Sequence, residues 1–319
     1  MGAMRIKVFV DGQEGTTGLQ IHELLARRAD VDVLRIAPEL RKDSGERARL
    51  LNAADVAFLC LPDAAAREAV ALVTNPRTCV IDASTAHRTD PAWAFGLPEL
   101  APDQRERLRA TKRISNPGCH STAFILLVRP LIDAELLDRD MRLSAASITG
   151  FSGGGRKMIE QYQAQPQPEQ LAAPRPYGLA LTHKHVPEMQ VQSALRTRPI
   201  FMPIVANFYK GLAVSVPLHL SALKRPVDPR QLHDALAQRY ANERFVKVMP
   251  FADASLLDAG YFDVQACNDT NRCELFVFAN ADQAILMARL DNLGKGASGA
   301  AVQSMNVHLG LDEGAGLLA

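Results

Sequence analysis

The chain has 319 residues, 47% of them hydrophobic and 22% charged, which is the composition of a folded protein with one large or two ordinary domains. Lys and Arg exceed Asp and Glu by only 36 − 35 = 1, and the basic residues are dispersed. This balance favours neither nucleic-acid binding nor binding to an anionic membrane. Five cysteines without a C-x-x-C pair, no apolar span and no signal-peptide core predict a cytoplasmic protein without disulfides.

Strand and helix patterns alternate over the first 115 residues. Apolar runs predict strands at 6–10, 31–36, 56–61 and 79–82, and amphipathic stretches between them predict helices at 19–28, 44–52 and 64–73. This alternation predicts an α/β fold with a doubly wound, Rossmann-like parallel sheet that binds ligands at the carboxyl ends of its strands. An α/β domain without a nucleotide site stays open as the alternative.

The pattern changes from about Met141. Strands are predicted at 141–149, 201–208, 212–220, 262–266 and 274–279 with fewer helices between them, which indicates an α+β domain with a largely antiparallel sheet. Asp228 and Pro229 supply an N-cap and a first-turn proline for a helix that runs to Tyr240. Residues 163–176 are predicted to be an exposed loop, and the last helix, 297–309, is expected to pack back on the first domain.

A glycine-rich turn follows the first strand. Gly12, Gly15 and Gly18 have G-x-x-G-x-x-G spacing, and Thr16 and Thr17 add hydroxyl donors. Such a turn allows close backbone approach to a pyrophosphate and aims a helix N-terminus at it. A plain glycine-rich turn between a strand and a helix is the alternative.

One cysteine stands apart from the others. The element Asn116-Pro117-Gly118-Cys119 precedes an apolar helix at 123–128, so Cys119 is predicted at a helix N-terminus. The positive end of the helix dipole stabilises a thiolate there, which can attack an activated carbonyl and form a thioester. The remaining cysteines are expected to be buried packing residues: Cys60, Cys79, Cys267 and Cys273.

The segment His183-Lys184-His185-Val186-Pro187-Glu188 offers a proton-transfer group, because histidine titrates near neutrality. On an extended segment, His183 and His185 would share one face, and Pro187 would stiffen the approach to Glu188. The sequence does not decide between the two histidines. A His-x-His pair also suits zinc, but no third and fourth ligands stand nearby, so no metal is expected.

Two further segments suit an anionic substrate. Arg88 follows the strand at 79–82, close to Ser84, and its guanidinium can bind a phosphate or carboxylate through two hydrogen bonds. Gly154 and Lys157 lie in a glycine-rich helix start whose backbone N–H groups can face an anion. A surface ion pair for Arg88 and a flexible hinge for the glycines are the alternatives.

These motifs, in this order, resemble the short form of the N-acetyl-γ-glutamyl-phosphate reductase family. The resemblance rests on the glycine turn, the Asn-Pro-Gly-Cys element and the His-x-His-x-Pro-Glu segment, together with 60–63, 96–100 and the tail at 291–300. It covers essentially the whole chain. His120 is a departure, because many members carry Tyr or Phe there, and we expect only a mild change of packing beside the nucleophile.

The resemblance implies an arginine-biosynthesis enzyme that reduces N-acetyl-glutamyl 5-phosphate to N-acetylglutamate 5-semialdehyde with NADPH. In this interpretation Cys119 forms the thioester, His185 rather than His183 transfers protons, and Glu188 orients His185 or contacts substrate. Cofactor-binding residues would be Gly12, Gly15, Thr16, Thr17, Gly18, Arg41, Lys42, Ser84 and Asn292, and substrate-binding residues would be Arg88, Asn116, Gly154, Lys157 and His183.

The same resemblance predicts the domain organisation. An NADP-binding domain would comprise residues 1–117 with about 292–319, and a catalytic and oligomerisation domain would comprise 118–291. A homodimer or homotetramer is expected, with a small-molecule acyl phosphate as the substrate.

NADP is favoured over NAD by the second predicted strand. NAD-binding sheets carry an acidic residue about 20 residues after the glycine turn, and it would repel a 2′-phosphate. Here the strand ends in Ala37-Pro38, and Arg41 and Lys42 follow Glu39 closely enough to neutralise a 2′-phosphate. A solvated Arg–Lys pair with Glu39 turned inward is the alternative.

Three other functions stay open at this point. The nearest are a lysine-pathway reductase with a carrier-protein-linked acyl phosphate and an aspartate-semialdehyde dehydrogenase. A non-catalytic NADP-binding regulatory module belongs to a different class, and it would have no reason to keep a reactive Cys119.

Overall fold

A computed structural model describes residues 5–12 and 15–319. It divides into two compact units: the described chain up to Pro117 with Ala297–Leu317, and Gly118–Gly296 with Leu318–Ala319. Within the described ranges, none of the helices has both the length and the hydropathy required of a transmembrane segment.

The first unit contains a six-stranded, all-parallel sheet with the order β2-β1-β3-β4-β6-β5. Its strands are β1 (Ile6–Asp11), β2 (Val31–Leu34), β3 (Val56–Leu59), β4 (Cys79–Asp82), β5 (Ala94–Phe95) and β6 (Arg113–Ser115). Its helices are α1 (Thr16–Ala26), α2 (Ser44–Ala53), α3 (Asp63–Leu72), α4 (Gln104–Ala110) and the C-terminal α9 (Gly299–His308). The predicted Rossmann-like sheet is confirmed.

The strands of this sheet are apolar almost throughout because both of its faces are covered. Phe9, Phe58 and Ile81 are fully buried, as expected for parallel strands between two layers of helices. The small residues of α9 lie in the same core as β1 and β3, where Ala301 and Met305 are fully buried. The last helix therefore packs in the first unit, as its composition predicts.

The second unit contains a seven-stranded mixed sheet with the order β11-β12-β13-β10-β7-β9-β8. Its strands are β7 (Ser144–Gly150), β8 (Arg175–Pro176), β9 (Ile200–Ala206), β10 (Leu212–His219), β11 (Val246–Val248), β12 (Cys273–Ala279) and β13 (Gln283–Leu290). Its helices are α5 (Cys119–Asp133), α6 (Gly155–Tyr162), α7 (Val186–Gln192) and α8 (Pro229–Tyr240). Four of its six pairings are antiparallel, which confirms the predicted α+β pattern.

One face of this sheet is covered and the other is exposed. Helix α5 packs against β10 and β13, and it is buried almost along its whole length because it is apolar all round. On the exposed face, the register aligns Met202 with Ala146, Ser215 and Met287 across four strands. Ile200, Met202 and Ile285 are 61%, 43% and 44% exposed there.

One prediction for the second unit is wrong. Residues 262–266 form no strand; instead the Phe262 ring packs edge-on against Phe276, with the ring centroids 5.0 Å apart, and Arg289 donates to the Asp263 carbonyl at 2.8 Å. The apolar residues there anchor a loop. Strands β11 and β13 were not predicted, although residues 284–288 of β13 are an unbroken apolar run; Ala, Leu and Met also favour helices, so the run alone did not identify a strand. The exposed segment 163–176 is mainly loop, although its end pairs with β9 as β8.

Candidate active site

Cys119 is the first residue of α5, so its predicted position at a helix N-terminus is confirmed. Gly118, which has no side chain to cap the helix, occupies the N-cap position with φ −82° and ψ 152°. The Gly118 carbonyl accepts hydrogen bonds from Ser121 Oγ at 3.1 Å and Thr122 Oγ1 at 3.0 Å. Cys119 is half-buried and stands at the positive end of a fifteen-residue helix, which favours its thiolate.

Gly296 lies directly against this cysteine. A Cβ built on Gly296 would lie 2.6 Å from the Cys119 Cβ and 3.1 Å from the Asp291 carbonyl oxygen. Any larger residue would therefore displace the cysteine or the backbone. The sequence analysis did not single out Gly296, although it lies within the tail at 291–300.

Histidines surround the thiol. Cys119 Sγ, one ring nitrogen of His120 and one of His185 lie within 4.8 Å of one another. The His183 ring meets the His185 ring edge-on, with their centroids 4.9 Å apart. A cysteine and three imidazoles therefore converge at the start of α5.

The predicted extended conformation of the His183–His185 segment is wrong. A turn brings the His185 backbone N–H to Nδ1 of His183 at 3.2 Å, and His185 becomes the N-cap of α7. Pro187 stands in the first turn of that helix, where the missing N–H costs nothing. The turn still presents both histidines to the same cluster.

Glu188 connects α7 to the start of α5. It is fully buried; its Oε2 accepts a hydrogen bond from the Gly118 N–H at 3.1 Å, and its Oε1 lies 3.9 Å from His185 Nε2. The carboxylate thus touches both the helix that carries the cysteine and the histidine beside it.

Burial determines the protonation state of several histidines and cysteines. It lowers the pKa of His120 to about 3 and that of His183 to about 4, so both rings are neutral at physiological pH. Burial raises the pKa of Cys60 and Cys79 to about 12 and that of Cys267 to about 11, which keeps these thiols protonated.

The His120 ring lies between two hydroxyl groups. Its Nδ1 lies 2.8 Å from Ser147 Oγ, and its Nε2 lies 3.3 Å from the Tyr177 hydroxyl. Burial and the charge of Cys119 raise the pKa of Tyr177, so the phenol stays protonated. Tyr177 and Ser147 were not identified from the sequence, because only the folded chain brings them to α5.

The glycine turn of the first unit has the features of an anion cradle. Gly12 has φ +90°, and a Cβ there would lie 2.3 Å from the Cys60 carbonyl oxygen, so only glycine fits. Gly15 is extended and caps α1, which starts with Thr16 and Thr17, and Gly18 is buried in its first turn. Gln13 and Glu14 of this turn lie outside the described residues.

Basic side chains lie after β2, where selection between NADP and NAD is expected. Arg41 and Lys42 follow a short 3₁₀ helix, Pro38–Leu40; Arg41 donates to the Pro38 carbonyl at 2.8 Å, and Lys42 is exposed. Glu39 is also exposed. Arg35, which the sequence analysis passed over, directly follows the end of β2 and is exposed.

The carboxyl end of β4 forms a closed polar network. The buried Asp82 carboxylate accepts from the Ser84 hydroxyl at 2.7 Å and lies 2.6 Å from His87 Nδ1. The His87 ring stacks on Trp93, with the centroids 4.1 Å apart. Arg88 is buried beside this loop, and its Nη2 donates to the Ala83 carbonyl at 2.9 Å.

The other predicted site residues fall in both units. In the first, Asn116 Nδ2 donates to the Ala297 carbonyl at 2.9 Å. In the second, the Asn292 amide accepts from Gly211 N at 2.8 Å and donates to Ser152 Oγ at 3.0 Å. Gly154 precedes α6, and Lys157 is exposed on that helix.

Comparisons with known proteins agree over nearly the whole chain. Residues 7–108 match the family model "Semialdehyde dehydrogenase, NAD binding domain", and residues 119–292 match "Semialdehyde dehydrogenase, dimerisation domain". The chain is 48% identical to N-acetyl-gamma-glutamyl-phosphate reductase 2 of Nostoc sp., over 98% of this chain and 99% of that one. It is also 48% identical to N-acetyl-gamma-glutamyl-phosphate reductase of Burkholderia orbicola, over 95% and 97%.

Solved structures share the fold. Aspartate semialdehyde dehydrogenase II from Vibrio cholerae matches with a TM-score of 0.71 at 16% identity, covering 96% of this chain and 99% of that one. The aspartate semialdehyde dehydrogenase from Francisella tularensis matches with a TM-score of 0.73 at 14% identity, covering 95% and 99%. At this identity the likeness concerns the fold alone.

Proposed function

Because the chain belongs to the N-acetyl-gamma-glutamyl-phosphate reductase family, we propose that it reduces N-acetyl-glutamyl 5-phosphate to N-acetylglutamate 5-semialdehyde with NADPH through a thioester on Cys119. The chain is an oxidoreductase with a nicotinamide-binding domain. The observation that carries the mechanism is the half-buried thiol at the N-terminus of α5, beside His185 and the carboxylate of Glu188.

Cys119 begins the reaction as a nucleophile. Its thiolate attacks the acyl carbon, the S–C bond forms, and the C–O bond to phosphate breaks, so that inorganic phosphate leaves and a thioester remains. The helix dipole supports the thiolate before attack. Gly296 keeps the space beside Cys119 open, since a side chain there would displace the nucleophile.

His185 is the proton-transfer group in this proposal. Its ring is buried, with Nε2 3.9 Å from the carboxylate oxygen Oε1 of Glu188, while burial leaves the rings of His120 and His183 neutral because it lowers their pKa values. His185 accepts the thiol proton of Cys119 and later returns it to the Cys119 sulfur, as the C–S bond breaks and the aldehyde C=O forms. Glu188 acts as a positioning residue that holds His185 and the N-terminus of α5 together.

A nicotinamide cofactor, when bound, supplies the hydride that reduces the thioester. The glycine turn fits its pyrophosphate: Gly12 has no room for a side chain, and α1 begins directly after Gly15. Thr16, Thr17, Gly18 and Ser84 complete the proposed cofactor site in the first unit, and Asn292 of the second unit is a separate candidate for cofactor binding. The finer assignment, NADP, is supported by the exposed basic residues Arg35 and Lys42 and by Arg41.

The substrate phosphate requires fixed positive charge and N–H donors. Arg88 is the first candidate because it is buried at the carboxyl end of β4, and Asn116 follows the neighbouring β6. Gly154, Lys157 and His183 are the further candidates. Arg88→Met is expected to raise the KM for phosphate in the oxidative direction more than the KM for NADP.

The proposed quaternary state is a homodimer, or a tetramer built from two dimers. The dimerisation-domain match covers the second unit, and the exposed face of its sheet carries Ile200, Met202 and Ile285. Burying such an apolar row against a second copy would remove it from water. Met202→Asp should shift the mass measured by size-exclusion chromatography with light scattering towards the monomer.

The activity is tested in the oxidative direction. Purified protein is given N-acetylglutamate 5-semialdehyde, phosphate and NADP, and NADPH formation is followed by its absorbance. Aspartate semialdehyde and a carrier-protein-linked semialdehyde are run in parallel, and NAD replaces NADP at matched concentration. Faster turnover of either alternative substrate would contradict the substrate assignment, and equal or higher kcat/KM with NAD would contradict the cofactor assignment.

A double variant tests the basic pair separately. Arg41→Ala with Lys42→Ala should reduce the preference for NADP by about 10-fold, since contacts of this exposed kind contribute about 1 kcal/mol or less each. The effect should diminish at high salt. An unchanged ratio of kcat/KM values for the two cofactors would move the 2′-phosphate contact elsewhere, with Arg35→Ala as the next variant.

A further inference from the structure

Three metal-binding atoms converge at the start of α5. Cys119 Sγ and one ring nitrogen each from His120 and His185 lie within 4.8 Å of one another. One thiolate and two imidazoles form a donor set that suits zinc and similar divalent cations. The proposed reaction uses Cys119 and His185 but gives His120 no task.

We propose that Cys119, His120 and His185 form a reversible inhibitory site for zinc, in which the metal occupies the nucleophile and excludes the acyl phosphate. The prediction of no metal, made from the sequence, considered His183 and His185 as the pair. The fold instead brings His185, at the start of α7, next to Cys119 and His120 of α5. Two ligands therefore come from α5 and one from the start of α7.

The distances require only small movements. Zinc binds sulfur at about 2.3 Å and imidazole nitrogen at about 2.0–2.1 Å, so tetrahedral ligand atoms lie about 3.4–3.6 Å apart. Starting from separations of at most 4.8 Å, each ligand atom would move by less than about 1 Å. Cys119 is half-buried, so water can reach the fourth ligand position.

The surroundings of His120 select Nε2 as its ligand atom. Nδ1 lies 2.8 Å from Ser147 Oγ, whereas Nε2 makes the longer contact of 3.3 Å to the Tyr177 hydroxyl. Metal binding replaces the longer contact and keeps Nδ1–H donating to Ser147. Metal-binding imidazoles are commonly oriented in this way through their second nitrogen.

The chemistry involves no change of oxidation state. The Cys119 thiol loses its proton to solvent as the S–Zn bond forms, and a chelator reverses the process. Zinc therefore blocks the attack on the acyl carbon without modifying the protein covalently. This site goes beyond the proposed function, and its binding is measurable without substrate.

Cobalt serves as the spectroscopic probe. Metal-free protein is titrated with Co²⁺ alone, and we expect one equivalent to bind with thiolate-to-cobalt absorption that added Zn²⁺ abolishes. Cys119→Ser should remove the thiolate band. His120→Phe should weaken binding by at least about 10-fold, because changes in the surroundings of a metal site alone cost about that much.

Matched variants separate ligand loss from general disturbance. Tyr177→Phe should keep or tighten binding, Ser147→Ala should weaken it by a smaller factor than His120→Phe, and His233→Gln on α8 should leave it unchanged. If His120→Phe lacks the wild-type circular dichroism spectrum, His120→Gln replaces it. Equal cobalt affinity for wild type and the folded His120 variant, or binding without a thiolate band, overturns the proposal.

An inhibition assay adds a functional readout. Zn²⁺ should inhibit the oxidative reaction reversibly, with relief by a chelator, and a folded His120 variant should need at least about 10-fold more zinc for the same fractional inhibition. If the proposed substrate is not turned over, the cobalt titration still decides the metal site. Conversely, if wild-type protein shows no thiolate-to-cobalt band, the metal site is overturned and the proposed reaction is unaffected.

Discussion

Each unit contains a buried histidine beside a buried carboxylate, and the two pairs differ in how tightly they are closed. In the first unit, Asp82 lies 2.6 Å from His87 and also accepts from Ser84. In the second, Glu188 lies 3.9 Å from His185 and accepts from the Gly118 N–H, next to Cys119. The closed pair fixes a loop at the end of β4, whereas the open pair leaves an imidazole beside a nucleophile.

The difference shows that a histidine–carboxylate pair alone does not identify a proton-transfer site. The His87 ring is also stacked on Trp93, which immobilises it. His185 instead belongs to a cluster with a thiol, at the N-terminus of a helix.

The largest expected effect comes from the thiol. Cys119→Ala should reduce kcat by at least about 10⁴-fold, because removal of a covalent nucleophile eliminates the main reaction route. Cofactor binding, measured by fluorescence titration, should persist. Cys267→Ala is the control, since this protonated, buried thiol should be dispensable for kcat; substantial turnover by Cys119→Ala would contradict the mechanism.

The open pair is tested by His185→Gln, with His87→Gln as its counterpart in the closed pair. Loss of the proton-transfer group should lower kcat by about 10²–10⁴-fold and remove the acidic limb of the pH–rate profile. His87→Gln should keep that limb, while lowering the free energy of unfolding by about 1–3 kcal/mol as Asp82 loses a buried partner. If the His185→Gln variant keeps the acidic limb of the pH–rate profile, a different residue transfers the proton.

Displacement of the thiol should have a smaller effect than its removal. Gly296→Ala puts a methyl group 2.6 Å from the Cys119 Cβ, which is too close, so kcat should fall by about 10²-fold, the typical result of a misplacement of about 1 Å. Gly310→Ala, at a position with open space but φ +68°, controls for the strain of adding a methyl group. Unchanged kcat in a folded Gly296→Ala variant would show that the cysteine tolerates the shift.

The smallest expected effect is on stability against pH. The unfolded chain protonates His120 and His183 near pH 6.5, whereas burial lowers their folded pKa values to about 3 and about 4. Stability is therefore complete above pH 6.5 and is lost as the pH falls towards 4 for His183 and towards 3 for His120. The loss is up to about 1.4 kcal/mol per pH unit for the fully buried His120 and smaller for His183, because solvent screens the charge on its partly exposed ring.

Urea unfolding at several pH values measures this loss. His120→Phe should flatten the dependence between pH 6.5 and 4 relative to wild type, because one of the two depressed histidines is absent. His233→Gln should leave the slope as it is. An identical slope for wild type and His120→Phe would contradict the assignment of a buried, neutral His120.

Local sequence signals predicted much of the fold. The strand at Cys79–Asp82 and the helix Pro229–Tyr240 match the predicted bounds, because an apolar run and an Asp-Pro cap act within a few residues. Phe262 misled the prediction, since its ring packs on Phe276 from a loop. Apolar character indicates burial, and burial does not require a strand.

The residues of the candidate site were likewise predicted only where the signal is local in the sequence. The position of Cys119 follows from a glycine and a helix that adjoin it in the sequence. Gly296, Ser147 and Tyr177 could not be found from local pattern, because only the packing of distant segments brings them to α5. The turn at His185 was also missed: its N–H bonds to His183 Nδ1, a side-chain contact that periodicity does not reveal.

The central claim is that Cys119 carries the acyl group. Wild-type protein is mixed rapidly with N-acetylglutamate 5-semialdehyde and NADP without phosphate, and the NADPH burst and the mass of the Cys119 peptide are measured. We predict one NADPH per site and an acyl group on Cys119 that added phosphate removes. Steady NADPH formation without a burst, on an unmodified Cys119, would contradict the account.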